Sequence, residues 1–161
     1  MAIEMLPIGF VSAARAHAED DYWGGETARI SLVETFTSEA LRGLDGFSHI
    51  EVIYHFHGVD PSRIVSGARH PRNNPAWPAV GIFAQRGKNR PNRLGSTICR
   101  LLRLEGTSLL VAELDAIDGT PVLDLKPVMQ GFLPRGELRQ PQWSHELMRD
   151  YWAQRRDGAS G

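Results

Sequence analysis

The chain has 161 residues, 42% of them hydrophobic and 23% charged, the composition of one globular domain long enough to bury a core. A single cysteine, Cys99, excludes an intramolecular disulfide and a cysteine-rich zinc site, and no apolar run approaches the ~20 residues of a membrane-spanning helix. The net charge of −1 hides a segregation: from Arg63 to Arg103 there are nine arginines or lysines and no acid, so +9 there is offset by −10 elsewhere. Such a run favours phosphate or carboxylate ligands unless acids from other parts of the fold neutralise it.

In chain order, "MAIEMLPIGF" carries an acid and no base, unlike a secretory signal, so a cytoplasmic location is expected. "MLPIGFVS" (5–12) and "TARISLVE" (27–34) read as strands, the second alternating through Ala28, Ile30 and Leu32. "TSEALRGLDG" (37–46) predicts a short helix capped by Thr37 or Ser38, with Glu39 in its first turn and Gly43 or Gly46 ending it. "SHIEVIYHFH" (48–57) puts Ile50, Val52, Tyr54 and Phe56 on one strand face and His49, Glu51, Ile53, His55 and His57 on the other. Residues 66–80, with three prolines and paired asparagines, predict a long loop that Trp77 would help to order as a lid.

"AVGIFA" (79–84), "TICRLLRLE" (97–105) and "SLLVAELDAI" (108–117) continue the strands, the last two joined tightly by "GT". "DGTP" turns the chain into "VLDL" (122–125). A second helix is expected in "SHELMRDYWAQRR" (144–156), capped by Ser144, with Leu147, Met148, Tyr151 and Trp152 as the stripe that packs on the sheet. Six or seven short strands with one or two peripheral helices make a mainly-β fold, a compact antiparallel barrel or sandwich. One domain is expected over 1–157, with a frayed tail at 158–161.

The chemistry is bounded by what is missing from the pattern. There is no strand–glycine loop–helix unit and no Walker lysine, so a nucleotide-like ligand would be held by irregular loops. No serine occupies a nucleophile elbow, and Cys99 has no activating partner and reads as a buried hydrophobe. His55 and His57 could start a metal site with His49, Glu51, His70 or Glu113, although His-x-His on a strand is more often structural.

"GKNRPNRLGST" (87–97) carries more information. Pro91 disfavours helix at Arg90 and predicts an extended "NRPN". The Asn92 amide can both donate and accept, Gly95 allows close backbone approach to a ligand, and Arg86, Arg90 and Arg93 present planar forks. Downstream, "DGTPVLDLKP" (118–127) places Asp124 and Lys126 on one side of a strand, where a carboxylate suits ribose hydroxyls; a plain exposed ion pair is the alternative.

"PIGFVS", "LDGFSHIEVIYHFH", "VGIFAQRGKNRPNRLGSTICRLL" and "DGTPVLDLKP", in that order over about residues 5–132, resemble the TsaA-like (YaeB-like, TrmO-type) family. The most specific elements are F-A-x-R…R-P-N-x-[IL]-G and D-G-[TS]-P-x-x-D-[IL]-K-P. The resemblance implies a small β-barrel that forms a homodimer and binds S-adenosyl-L-methionine without a Rossmann fold. In tRNA-modifying members it implies N6-methylation of threonylcarbamoyladenosine beside the anticodon. It implies cofactor contacts from Phe83, Ala84, Arg86, Arg90, Pro91, Asn92, Leu94 and Gly95, with Asp124, Leu125 and Lys126, and His70 from the preceding loop. Arg69, Arg72, Lys88 and Arg93 are the expected RNA contacts, and no metal is expected. Asp124 and the histidines at 49, 55 and 57 are candidates for a base.

Four departures from the family pattern bear on the substrate. Gly87-Lys88 replaces Ser-Pro, Arg93 replaces a second proline, and Val128 replaces an aromatic. "EDDYWGGE" (19–26) stands where tRNA-modifying members carry an arginine-proline loop. The chain also ends without their additional C-terminal region. Two other readings stay open: the same barrel methylating a small molecule or acting as a non-catalytic sensor, and a metal-dependent barrel using His55 and His57.

Overall fold

The clearest alternation in the sequence becomes the middle of the sheet. In the computed structural model, which describes residues 1–156, that stretch is strand β3 (His49–His55), with Ile50, Val52 and Tyr54 turned inward. The other strands are β1 (Gly9–Ala13), β2 (Thr27–Leu32), β4 (Ala68–Arg69), β5 (Val80–Gly81), β6 (Leu94–Glu105), β7 (Ser108–Ala112) and β8 (Pro121–Pro127). Six of them close into an antiparallel barrel in the order β1-β2-β7-β6-β3-β8, while β4 and β5 form a separate two-stranded ribbon. Closure leaves no free edge, and a barrel this narrow is filled by its own side chains. Val11, Ile30, Ile50, Val52, Cys99, Leu109, Val111 and Val122 supply that filling.

Register decides which side chains reach the outside. Glu51 lies opposite Ile98 and Lys126, and Ile53 opposite Ser96 and Asp124. A bulge in β8 at Leu123 shifts the pairing between Ile53 and Tyr54, so Val122 faces the core while Asp124, two residues on, faces out. Asp124 and Lys126 therefore share the outer face as their spacing predicts, and Leu125 packs against the core.

The two-residue "GT" connection is present, with Gly106 at φ +61 between β6 and β7. Other boundaries moved. β6 begins at Leu94, so the end of the basic loop is already strand. "AVGIFA" gives only Val80–Gly81 as strand, followed by a 3-10 turn at Ile82–Ala84.

"TSEALRGLDG" forms two 3-10 turns, Ser38–Leu41 and Leu44–Gly46, rather than an α-helix. Gly43 at φ +87 separates them, and the pieces are too short to repay helix nucleation. The one α-helix among the described residues is α1 (Gln142–Leu147). It ends before the predicted stripe is complete because the following backbone bonds to the 22–24 loop instead. Tyr22, Trp23 and Gly24 donate to the carbonyls of Asp150, Tyr151 and Ala153 at 3.1, 2.8 and 3.2 Å. Residues 148–154 are thus a strap across that loop. The expected tail at 158–161 lies outside the described residues. Among the described residues no helix is long and apolar enough to cross a membrane.

Candidate functional site

Two sequence motifs 38 positions apart are brought to β6 and β8, the two neighbours of β3. Arg86 donates through Nη2 to the Ser96 carbonyl at 2.6 Å, and the Ser96 hydroxyl donates to Glu51 at 2.7 Å. Across β3, Lys126 Nζ lies 2.8 Å from Asp124 Oδ2, and Asp124 Oδ1 accepts from the Leu125 amide at 2.9 Å. Asp124, with Glu51 behind it, holds the Lys126 ammonium above its ordinary range. Each Asp124 oxygen thus has one partner, which leaves acceptor capacity on both.

The loop leading to Gly95 is shaped differently from the extended "NRPN" that Pro91 suggests. Arg90 is extended, at φ −118 and ψ 157, but Pro91–Arg93 is a 3-10 turn with Asn92 at φ 61 and Arg93 at φ 50. Two successive left-handed residues are uncommon outside glycine, and asparagine tolerates that region best. The turn is anchored on both sides. Arg90 Nη1 donates to the Gln85 carbonyl at 2.6 Å, Arg93 Nη1 to the Val59 carbonyl at 3.0 Å, and the Phe56 amide to the Arg93 carbonyl at 2.9 Å.

Gly95 also has a different purpose from the predicted one. A Cβ there would lie 2.5 Å from Cε2 and Cζ of Tyr54 and 3.0 Å from Cζ of Phe56. The close approach is made by the barrel's own aromatic pair, whose rings meet edge-on at 5.4 Å.

The 66–80 segment is more structured than the plain loop its prolines predict: β4, a 3-10 turn at Pro71–Asn73 and the start of β5 lie in it. His70 Nδ1 bonds the Trp77 carbonyl at 2.7 Å, which fixes the proton on that nitrogen because a carbonyl only accepts. Trp77 Nε1 donates to Glu146 at 2.7 Å, tying the lid to α1. Arg69 bonds Asn73 at 2.9 Å, while its Nε is buried without a partner. Gln85, which the sequence did not single out, joins lid to loop: its Nε2 donates to the carbonyls of Arg69 and Val80 at 3.0 and 2.9 Å.

Arg72 is turned away, onto Asp21 at 2.9 and 3.2 Å. Of the nine cations in the acid-free run, Arg72, Arg100 and Arg103 reach carboxylates, and the other six have none within 4.0 Å among the described residues. Phe83, Ala84, Lys88, Asn92 and Leu94 are exposed, Phe83 at 77%.

Beneath this surface sits a carboxylate that sequence reasoning also missed. Asp115 accepts from the hydroxyls of Tyr54 (3.1 Å), Thr97 and Tyr151, so β3, β6 and the strap converge on it. Burial, then Asp115, pushes both tyrosines well above their ordinary range, and the same two causes with Glu113 push Cys99 up to about 12. Its only sequence signal is a position just ahead of "DGTP".

The metal reading does not assemble. The chain leaves β3 at His55, and His57 donates its amide back to the His55 carbonyl at 2.8 Å, so strand alternation no longer aligns the two imidazoles. Among the described residues no three His, Cys, Asp or Glu side chains group as metal ligands. Burial, Arg93 and His57 together hold His55 below its ordinary range.

The arrangement is an open, basic face. A surface hollow of about 340 Å³, lined by residues including Ser38, Arg42 and Leu104, lies toward the opposite end of β6.

The family model for the tRNA-methyltransferase O N-terminal domain matches residues 18–132. A "Probable S-adenosyl-L-methionine-binding protein" of Pyrococcus abyssi is 37% identical over 110 residues, 66% of this chain and 56% of that protein. The human tRNA (adenine(37)-N6)-methyltransferase is 34% identical over 112 residues, 70% of this chain but 24% of the human protein. The chain thus spans about half or less of these relatives. A crystal structure of TrmO from Pseudomonas aeruginosa superposes with a TM-score of 0.69 at 27% identity, covering 86% of this chain and 62% of that one. With the match running through both motifs and five of the six barrel strands, the chain belongs to the family of the tRNA-methyltransferase O N-terminal domain.

Proposed function

We propose that this chain is an S-adenosylmethionine-dependent methyltransferase that modifies tRNA, its acceptor being N6 of threonylcarbamoyladenosine next to the anticodon. The observation that carries the reading is that Arg86, bonded to Ser96 of β6, and the Asp124–Lys126 pair of β8 flank the same strand, β3, from its two sides. The donor set fits the cofactor. Guanidinium forks suit its carboxylate, Asp124 suits vicinal ribose hydroxyls, and exposed Phe83 offers a flat apolar face to adenine.

When bound, the sulfonium supplies a methyl group already activated for transfer to nitrogen. The work left to the chain is alignment. The anchored Arg90 and Arg93 hold the loop, the left-handed backbone at Asn92 sets where its side chain leaves the turn, and Lys126 pairs with Asp124. The acceptor nitrogen loses one proton, which His49 on the same outer face can take, or Asp124 where the ribose hydroxyls leave one of its oxygens free.

A homodimer is part of this reading. Exposed Ile98 (49%), Met129 (45%) and Phe132 (88%) offer apolar surface that a second copy would cover. Six cations without carboxylate partners among the described residues suit an RNA backbone, and a cytoplasmic location goes with this reading. The second reading, a small-molecule acceptor, is favoured by Asp21, which removes one arginine from that basic surface.

Calorimetry with S-adenosylmethionine, followed by transfer of labelled methyl to total tRNA and identification of the nucleoside, tests the proposal. Asn92→Gly removes the amide while keeping the left-handed backbone, and weakens cofactor binding without loss of fold. Unchanged affinity removes Asn92 from the site, and no binding by the wild type sinks the cofactor reading. Labelling of a small molecule in place of tRNA moves the assignment to the second reading.

A further inference from the structure

Arg72 is an exception among the arginines of the lid and loop. Arg86, Arg90 and Arg93 each give one nitrogen to a backbone carbonyl, which fixes the guanidinium and keeps its charge. Arg72 is instead held bidentately by Asp21, with Asp20 at 3.9 Å, and the paired side chains are only 23% and 24% exposed.

Both halves of this pair are held in place. On the acid side, Arg15, with a side chain 6% exposed, donates to the carbonyls of Asp21 and Tyr22 at 3.1 and 2.8 Å and to Glu26 at 2.5 Å. Its guanidinium also stacks 3.6 Å from the Trp23 ring centroid. The strap bonds the same loop from its other side, and at Gly24 any Cβ would collide with the Trp152 carbonyl. On the basic side, buried Pro71 and left-handed Arg72 and Asn73, at φ 51 and 55, set the turn from which Arg72 leaves the lid.

We propose that Asp21, backed by Asp20, is a specificity-determining residue that withholds Arg72 from RNA phosphates. The proposal rests on the RNA reading above. A tethered carboxylate competes with phosphate at the effective concentration of its own loop, and it already has the fork geometry that a phosphate would need. Asp20, 73% exposed on its side chain, adds like-charge repulsion against an approaching backbone. An approaching polyanion thereby loses one contact.

The test is a cycle of substitutions in the full chain, read by the affinity for an anticodon stem-loop RNA across a salt series. Asp20→Asn with Asp21→Asn keeps side-chain shape and removes both charges and one of the two acceptor oxygens that hold Arg72. Binding is expected to tighten roughly five-fold, with the slope of log K against log salt steeper by about 0.7 to 0.9, the signature of one added phosphate contact. Arg72→Gln is expected to cost more affinity in the double-Asn background than in the wild type, and to abolish the gain there. The proposal is overturned if the gain is absent, if it survives Arg72→Gln, or if Arg72→Gln costs the same in both backgrounds. Absence of RNA binding by every variant overturns it together with the RNA reading, whereas calorimetry with S-adenosylmethionine on the same preparations reports separately on the cofactor.

Discussion

Gly95→Ala isolates how the loop is seated on the core. The new methyl would lie 2.5 Å from two carbons of the Tyr54 ring and 3.0 Å from Phe56, well inside ordinary contact. Tyr54 is 3% exposed and its hydroxyl is committed to Asp115, so the ring cannot swing away freely. Overpacking of this kind costs about 1–3 kcal/mol, and loss of the Tyr54–Asp115 hydrogen bond adds about 1 kcal/mol. The sum, about 2–4 kcal/mol, lowers the melting temperature of a domain this size by roughly 4–16 °C. Thermal and urea unfolding measure it. The decisive arm is Gly95→Ala in a Tyr54→Leu background, where the cost shrinks because the ring atoms next to the methyl are gone. An equal cost in both backgrounds would refute the claim that Tyr54 is what requires glycine.

Two further predictions concern titration. Burial, Asp115 and Glu113 raise Cys99 from 9.0 to about 12, so between those values the unfolded chain has lost a proton that the folded chain keeps. Stability therefore falls as pH rises from about 9, by at most about 1.4 kcal/mol per pH unit for this one group. Urea melts at about pH 8, 9 and 10 measure the slope, and it should be shallower in Cys99→Ala; an unchanged slope contradicts the assignment. His55 is held low by burial and then by Arg93, so Arg93→Gln raises its pKa. NMR titration of the imidazole reads this directly, and a pKa that stays put or falls removes Arg93 as a cause.

The barrel was legible in the sequence because its signals are local. Alternation at 48–57 and the "GT" hairpin each need only neighbouring residues; the hairpin appears where expected, and the strand does as far as His55. Asp124 and Lys126 share a face for the same reason. The strap was not legible. The apolar spacing of 144–156 is helical, but the backbone of 150–153 finds partners at 22–24, a contact with no local signal. Asp115 was hidden likewise, since its three donors come from positions 54, 97 and 151. Gly95 was identified but for a different reason, because sequence does not reveal which atom makes the close approach.

The structure also changes how the basic loop works. A run of arginines on a flexible loop would lose side-chain entropy each time it bound an anion. Here the ordering accompanies folding. Asp115 holds Tyr54, Tyr54 and Phe56 support Gly95, and Arg93 locks the turn onto Val59. Arg86 and Arg90 are pinned by one nitrogen each, and a guanidinium carries five N–H donors, so most of each fork stays available. A preorganised set of this kind binds through charge and fixed direction together. Changes at Asp115 or Tyr54 should therefore weaken ligand binding without touching the ligand, while changes at Lys88, which lacks any such anchor among the described residues, should act through charge alone.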